Sequence, residues 1–394
     1  MDKKTMLIDR FMEVYKGERE HIRVFASPGR VNLIGEHTDY NGGYVLPAAL
    51  DMNCYVAVRP REDRILRMMA TDIGEITEVS LDDLESAKKL KWGNYQAGVA
   101  FELMNHGYSL TGCDMLCHDE VPIGSGLSSS AAIETVTALA LLGAYDEKFG
   151  TKTKVDPVEI AKIGQKAENN FVGVSCGIMD QFSSAMGKKD HVIFLDCKDL
   201  SYELIPLKME GHKLVITNTN KKRSLAAVKY NERRSQCDPA LEILKKFLPK
   251  IRFLGEVSKE DFEKFGSYIT DPVLYKRARH VITEDDRVLK SIEALKANDL
   301  VQFGELMKMS HVSLRDDYEV TGEELDALYE IALTVPGVLG SRMTGAGFGG
   351  CTVSLVKEDA VESFTRIVTE KYRERIGYDC TVYVATVGDG GREL

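Results

Sequence analysis

The sequence predicts an α+β protein built in two parts, and three observations carry that prediction. Residues 22–60 alternate apolar runs with turn signals, as the hairpins and meanders of a mixed sheet do. Residues 131–145 and 225–308 carry helical patterns. The last part, residues 325–387, reads helix, glycine-rich loop, strand, helix, strand. A chain of 394 residues suits two or three domains, at roughly 100–200 residues each. The character of the sequence changes near Leu204, which divides the chain into residues 1–205 and 206–394. No low-complexity linker or repeat separates the parts, so they are expected to pack tightly.

In chain order, RVFASPGRVNLIGEH reads as a strand, a Pro-Gly turn and an apolar segment. GGYVLPAALDMNCYVAVRP reads as two short strands, and residues 64–71 as another. Residues 92–104 have the spacing of an amphipathic helix. Residues 112–120 are strand-like and lead into a Gly/Ser loop at 124–130, followed by an apolar helix over 131–145. Residues 157–170 form a helix with Asp156 as its cap and Pro157 at its first position. A loop over 171–177, a helix over 178–186 and the strand HVIFLD at 191–196 close the first part. The second part opens with the strand KLVITNTN at 213–220. Charged helical patterns follow over 225–308, broken at Pro239, Pro249 and Pro272.

Composition excludes several classes. Fifty-one basic against 61 acidic residues give a net charge of −10, the wrong sign for a general binder of nucleic acid or anionic membrane. The start, MDKKTMLIDR, has no apolar core of a secretory signal. No apolar run reaches the ~18–20 residues of a spanning helix. Eight scattered cysteines form no disulfide framework. Cys113, Cys117 and His118 resemble half a metal site without a second half, so buried thiols in a reducing cytoplasm are expected.

Three segments carry chemistry. PIGSGLSSSAAI (122–133) places Gly124, Ser125, Gly126, Leu127, Ser128, Ser129 and Ser130 before a strong helix. Glycines permit close approach, the helix start attracts anions, and three serines exceed what one cap requires, so phosphate binding is expected. No lysine follows, so this is not a Walker A loop. GAGFGG (345–350) fits G-x-G-x-x-G, but a strand follows it rather than a helix, which argues against a dinucleotide fingerprint and a nicotinamide-dependent oxidoreductase. Close backbone approach to a pocket or a neighbouring loop is expected there instead. GRVNLIGEHTDYNGG (29–43) concentrates Arg30, Glu36, His37, Asp39, Tyr40 and Asn41, groups suited to the hydroxyls of a polyol; a solvated turn at Asn41-Gly42-Gly43 is the plainer alternative.

Taken together, and in this order along the chain, these segments resemble the GHMP family of small-molecule kinases. GRVNLIGEHTDYNGG resembles the signature of the family's galactokinase branch. The resemblance spans about residues 23–387. It implies an N-terminal α+β domain and a C-terminal ferredoxin-like α+β domain with the active site between them. It implies that Glu36, His37, Thr38, Asp39, Gly177 and Tyr230 bind galactose. It also implies that residues 124–130 hold ATP phosphates, with Trp92 near the adenine, that Ser130 and Glu168 hold Mg²⁺, and that Asp180 and Arg30 are catalytic. Arg223 is a further candidate for facing the transferring group.

The reaction so implied is phosphorylation of α-D-galactose at its anomeric hydroxyl by ATP, the first committed step of galactose catabolism, by a cytoplasmic monomer. Positioning and charge stabilisation dominate such a transfer. A carboxylate is a weak base toward a sugar hydroxyl, so Asp180 is expected to orient first and accept the proton late. Two rivals remain at this stage: a kinase of N-acetylgalactosamine or a related sugar, and a non-catalytic sugar- and ATP-responsive regulator. The intact SSSAA run with Glu168 and Asp180 speaks for turnover.

Overall fold

A computed structural model describes residues 2–122, 124–222 and 226–394. A helix not anticipated from the sequence opens it, α1 (Lys3–Tyr15). Asp2 caps it by accepting from Thr5 N, and Leu7, Phe11 and Tyr15 form its buried stripe. The strands β1 (Arg23–Asn32), β2 (Tyr44–Val45), β3 (Pro47–Pro60), β4 (Ile65–Ala70), β5 (Ile76–Ser80) and β6 (Cys113–Asp119) follow, with α2 (Asn94–Asn105) between β5 and β6. Next come α3 (Ser129–Phe149), α4 (Pro157–Lys166), a π turn over Ala167–Val172, α5 (Met179–Met186), and the strands β7 (His191–Asp196) and β8 (Tyr202–Pro206). Asp156 and Pro157 start α4 as expected, with the Asp156 carboxylate accepting from Val158 N.

Several local expectations are corrected. Pro28-Gly29 makes no turn: β1 runs straight through it with a bulge between Pro28 and Arg30. A Cβ on Gly29 would lie 2.6 Å from the Leu127 carbonyl, so the missing side chain is what lets the strand and the Gly/Ser loop touch. The two expected short strands at 44–60 are a two-residue β2 and a continuous 14-residue β3. Helix α2 is buried on most sides rather than amphipathic, because α3 and the π turn both pack on it.

The second part holds β9 (His212–Asn218), α6 (Ala226–Lys245), α7 (Lys259–Phe265), α8 (Pro272–Lys296), α9 (Leu300–Ser313), α10 (Glu323–Leu333), β10 (Val338–Thr344), β11 (Cys351–Lys357), α11 (Val361–Ile376) and β12 (Thr381–Ala385). Pro239 does not break α6; it sits on the exposed side, where the one helical hydrogen bond it removes is replaceable by water. The unforeseen β10 means that GAGFGG joins two antiparallel strands.

The sheet order β10-β11-β9-β12, antiparallel throughout, is the ferredoxin-like arrangement expected. A three-stranded sheet β2-β7-β8 lies beside α4 and α5. The six-stranded sheet takes the last strand of the chain, β13 (Arg392–Glu393), at its edge, in the order β13-β1-β3-β6-β4-β5. Val387 also bridges to Leu50, so residues 387–394 lie with the first sheet, and the division expected near residue 205 falls inside β8. Among the described residues no helix is long and apolar enough to cross a membrane.

Candidate active site

A cavity of about 650 Å³ opens where the ends of β1, β4 and β6 and the starts of α2, α3 and α5 meet α6 and the GAGFGG loop. That volume suits a small-molecule site. Its floor is the end of β1. Arg30 is 3% exposed and donates from Nε and Nη2 to the two carboxylate oxygens of Asp180, each at 2.8 Å, and from Nη1 to the Gly126 carbonyl at 2.7 Å. Ser128 Oγ donates to Asp180 Oδ2 at 2.6 Å. Asp180, at the first turn of α5 and lining the cavity, is therefore locked in one orientation, and Oδ1, with one hydrogen bond against two at Oδ2, retains acceptor capacity.

The loop that carries Glu36, His37, Asp39 and Tyr40 forms one end. Glu36 is buried, with Asn32 Nδ2 and Gly345 N–H donating to its carboxylate and Arg342 Nη1 3.7 Å away. Burial pushes its carboxyl up, against the pull of Arg342 and Arg30. His37 holds a left-handed backbone, φ +63°, which turns its ring into the cavity. Burial, helped by His280, pushes its imidazole down to about 3, so the ring is neutral. Burial and the neighbouring Asp180 push Asp39 up to about 7. Gly177 packs on that carboxylate so closely that a Cβ would lie 1.8 Å from Oδ2. The Tyr230 ring packs tilted against His37 and edge-on to Tyr40, with ring centroids 5.7 and 5.4 Å away. Thr38 departs from its expected role. Its hydroxyl is fully buried between the carbonyls of Gly35 and Tyr44 and stabilises the loop rather than lining the cavity.

The Gly/Ser loop forms the middle. Gly124, Gly126 and Ser128 have positive φ, and no side chain caps α3, so the serines are not ordinary caps. Ser128 serves Asp180, and Ser129 Oγ donates to the Asp119 carboxylate. Ser125 donates to the Pro122 carbonyl at 2.6 Å and braces Leu127 N from behind, so Ser125 and Leu127 shape the loop without lining the cavity. A Cβ on Gly345 would sit 3.0 Å from the Gly126 carbonyl, which places the GAGFGG loop directly against this one. Arg30 and Lys91 are the Lys and Arg side chains among the described lining residues; Arg223 lies outside the described residues.

Ser130 and Glu168 both face the cavity. Gln181 Nε2 bridges Glu168 Oε2 at 2.8 Å and the fully buried Glu134 at 2.9 Å. Burial and Asp180 push Glu168 up to about 7. Among the described residues no three His, Cys, Asp or Glu side chains cluster tightly enough to hold a metal ion alone. A hydroxyl and a carboxylate, all oxygen, do fit a Mg²⁺ that takes its remaining ligands from phosphates and water. Cys113 and Cys117 are buried on β6, with burial pushing the Cys117 thiol up to about 12. The far end is lined by Trp92, Tyr95, Gln96, Ala70 and Ile73, mostly apolar or aromatic side chains that suit a base.

Sequence reasoning missed Asp119, Glu134 and Gln181. Glu134 lies four residues after Ser130 on one helix, a spacing that puts both on one face. Nothing local marks Gln181, because its partners come from two other helical segments.

This fold and site define a small-molecule kinase of the GHMP class. The N-terminal GHMP kinase model matches residues 94–188, the C-terminal one residues 291–374, and the galactokinase galactose-binding signature residues 9–60. The chain belongs to the galactokinase family: it is 50% identical to the galactokinase of Clostridium acetobutylicum, with 100% of each chain covered. It is also 47% identical to that of Bacillus subtilis, with 96% of each covered. The crystal structure of Lactococcus lactis galactokinase complexed with galactose is 42% identical, with a TM-score of 0.93 over 100% of both chains. Methanococcus jannaschii mevalonate kinase, 19% identical, shares the fold, with a TM-score of 0.66 over 94% of this chain and 100% of the other.

Proposed function

We propose that this chain transfers the γ-phosphoryl group of ATP to the anomeric hydroxyl of α-D-galactose, giving α-D-galactose 1-phosphate and ADP. The observation that carries the reading is the Arg30–Asp180–Ser128 cluster, set between a loop suited to sugar hydroxyls and an uncapped helix start suited to phosphates.

Glu36, His37, Asp39 and Tyr230 hold the sugar, and Gly177 leaves room for Asp39. The backbone of 124–130 and the positive end of α3 hold the triphosphate, and Trp92 lies beside the base. Asp180 Oδ1 accepts from the anomeric hydroxyl and aims its oxygen at the γ-phosphorus. The oxygen–phosphorus bond forms as the bond to the β-phosphate bridging oxygen breaks, and the proton passes to Asp180 late. Arg30 keeps Asp180 oriented and brings positive charge to the growing negative charge. Ser130 and Glu168 would hold Mg²⁺, which neutralises phosphate charge when bound. We also propose a monomeric, cytoplasmic enzyme: the scheme asks for no residue of a second copy, and the eight cysteines are free thiols, as a reducing compartment keeps them; light scattering of the purified protein tests the first point.

The test of function is ADP formation with galactose, N-acetylgalactosamine, glucose and arabinose, using the native chain and Asp180→Asn. Galactose is expected to be the best substrate. Asp180→Asn is expected to lose at least ~10²-fold in kcat while still binding galactose. No ADP formation with any sugar would refute the reaction, and near-native turnover in Asp180→Asn would refute the role of Asp180.

A further inference from the structure

Behind the sugar-facing loop, four side chains form a series that crosses between the two parts of the molecule. His37 Nδ1 lies 2.7 Å from the Tyr40 hydroxyl, which lies 2.9 Å from the Tyr318 hydroxyl, which lies 3.2 Å from Cys237 Sγ. Cys237 Sγ is in turn 3.5 Å from the Arg233 carbonyl, one turn back on α6. Tyr318 is fully buried, and its ring also packs against those of His37 and His280, at 4.8 and 4.5 Å. None of the three partners behind His37 enters the scheme for phosphoryl transfer.

Each member of this series has a single proton to give. A carbonyl can only accept, so the Cys237 S–H points at Arg233 O. Its sulfur then accepts from Tyr318 O–H, the Tyr318 oxygen from Tyr40 O–H, and the Tyr40 oxygen from His37 Nδ1–H. The ring is neutral, so a proton on Nδ1 leaves a lone pair on Nε2. That nitrogen is buried and has no hydrogen-bond partner in the structure, while the residue itself lines the cavity.

We propose that Tyr318 is a positioning residue that fixes the tautomer of His37, so that Nε2 is offered to the sugar as an acceptor. The proposal rests on the sugar reading above and deepens it. His37 takes one hydroxyl of galactose as a donor, whereas the neighbouring carboxylates can accept from the others. The opposite tautomer would place the proton on Nε2 and would ask the same hydroxyl to accept; the Ala346 backbone favours a proton on the ring, but Nε2 makes no hydrogen bond of good geometry to it, whereas Nδ1 lies 2.7 Å from the Tyr40 hydroxyl.

Two measurements decide it. In ¹⁵N-histidine-labelled protein without ligands, long-range ¹H–¹⁵N correlation is expected to show the Nδ1–H tautomer at His37, assigned by its loss in His37→Gln. Tyr318→Phe is expected to give a mixture or the Nε2–H form. A predominant Nε2–H form in the native chain overturns the proposal. In kinetics, Tyr318→Phe is expected to raise KM for galactose by about 5- to 30-fold, the worth of one or two ordinary hydrogen bonds, with kcat and KM for ATP within about twofold. Among 2-, 3-, 4- and 6-deoxygalactose, one penalty seen with the native chain should shrink in Tyr318→Phe.

Cys237→Ala, which removes the end of the series, is expected to act in the same direction, and Cys237→Ser to restore the native value, which separates the relay from damage to packing. Unchanged KM in all three variants, or an equal change in the ATP parameters, overturns the proposal. If the native chain neither binds nor phosphorylates galactose, the functional reading fails, whereas the tautomer spectrum still decides the relay.

Discussion

At the scale of single residues the site is organised by burial acting on acids, the groups proposed to accept from the sugar. Asp39 is the clearest case, held up to about 7 by burial first and by Asp180 second, from an ordinary 3.8. Between those two values the folded chain binds more protons at Asp39 than the unfolded chain does. Stability from this group is therefore greatest at low pH and falls as pH rises through that window, levelling off above about 7. Sugar binding has the opposite slope, because only the ionised carboxylate is a full acceptor. Titration calorimetry with galactose alone, without nucleotide or metal, should find the dissociation constant about tenfold higher at pH 6 than at pH 8, following the ionised fraction. A flat profile would remove Asp39 from the sugar contacts. The residue types of this loop were readable, since Arg, Glu, His and Asp cluster within ten positions. Thr38 was misplaced because sequence distance cannot tell a hydroxyl facing a cavity from one turned back onto its own loop.

At the scale of elements, the long periodic segments were legible and the close approaches were not. Helices α3, α4 and α5 and the ferredoxin-like strands β9, β11 and β12 carry their period in the local sequence, and α4 carries its cap there too. The bulge at Gly29 does not, because its reason lies about a hundred residues away, at Leu127. Arg30 N–H donates to the Leu127 carbonyl at 2.9 Å, which ties the strand carrying Arg30 to the phosphate loop. Gly29→Ala would force these two apart, against Leu127 O at 2.6 Å and Val121 at 2.9 Å. Overpacking of this kind typically costs ~1–3 kcal/mol. The expected outcome is a lower melting temperature together with a raised KM for ATP, since the loop itself moves. A variant with native ATP affinity would mean that the contact is merely structural. Helix α1 was legible in principle: Leu7, Phe11 and Tyr15 recur every four residues, the spacing of one buried helix face, while Arg10 and Glu13 are exposed.

At the scale of the whole molecule, residues 390–394 return from the second part to the first sheet. Arg392 and Glu393 pair with Ala26 and Phe25 on β1, Arg23 grips Glu393 with two hydrogen bonds at 2.8 and 2.7 Å, and Leu394 N donates to Val24 O at 2.9 Å. Gly390 and Gly391 add bonds to Gly187 and Ser184, at the end of the helix whose first turn holds Asp180. Nothing in the sequence near residue 390 reads as a strand, because two residues carry no period and their partners lie more than 360 positions earlier. The strap covers the edge of the sheet whose first strand carries Arg30, so it should stabilise the site as well as the sheet. Truncation after Val387 removes at least five backbone and side-chain bonds, at about 0.5–1.5 kcal/mol net each. The expected result is a single melting transition shifted several degrees down, with activity at low temperature reduced by less than the Asp180 variant loses. Two separate transitions would mean that the strap is what couples the halves, and an unchanged melting temperature would mean that the edge of the first sheet is stable without it.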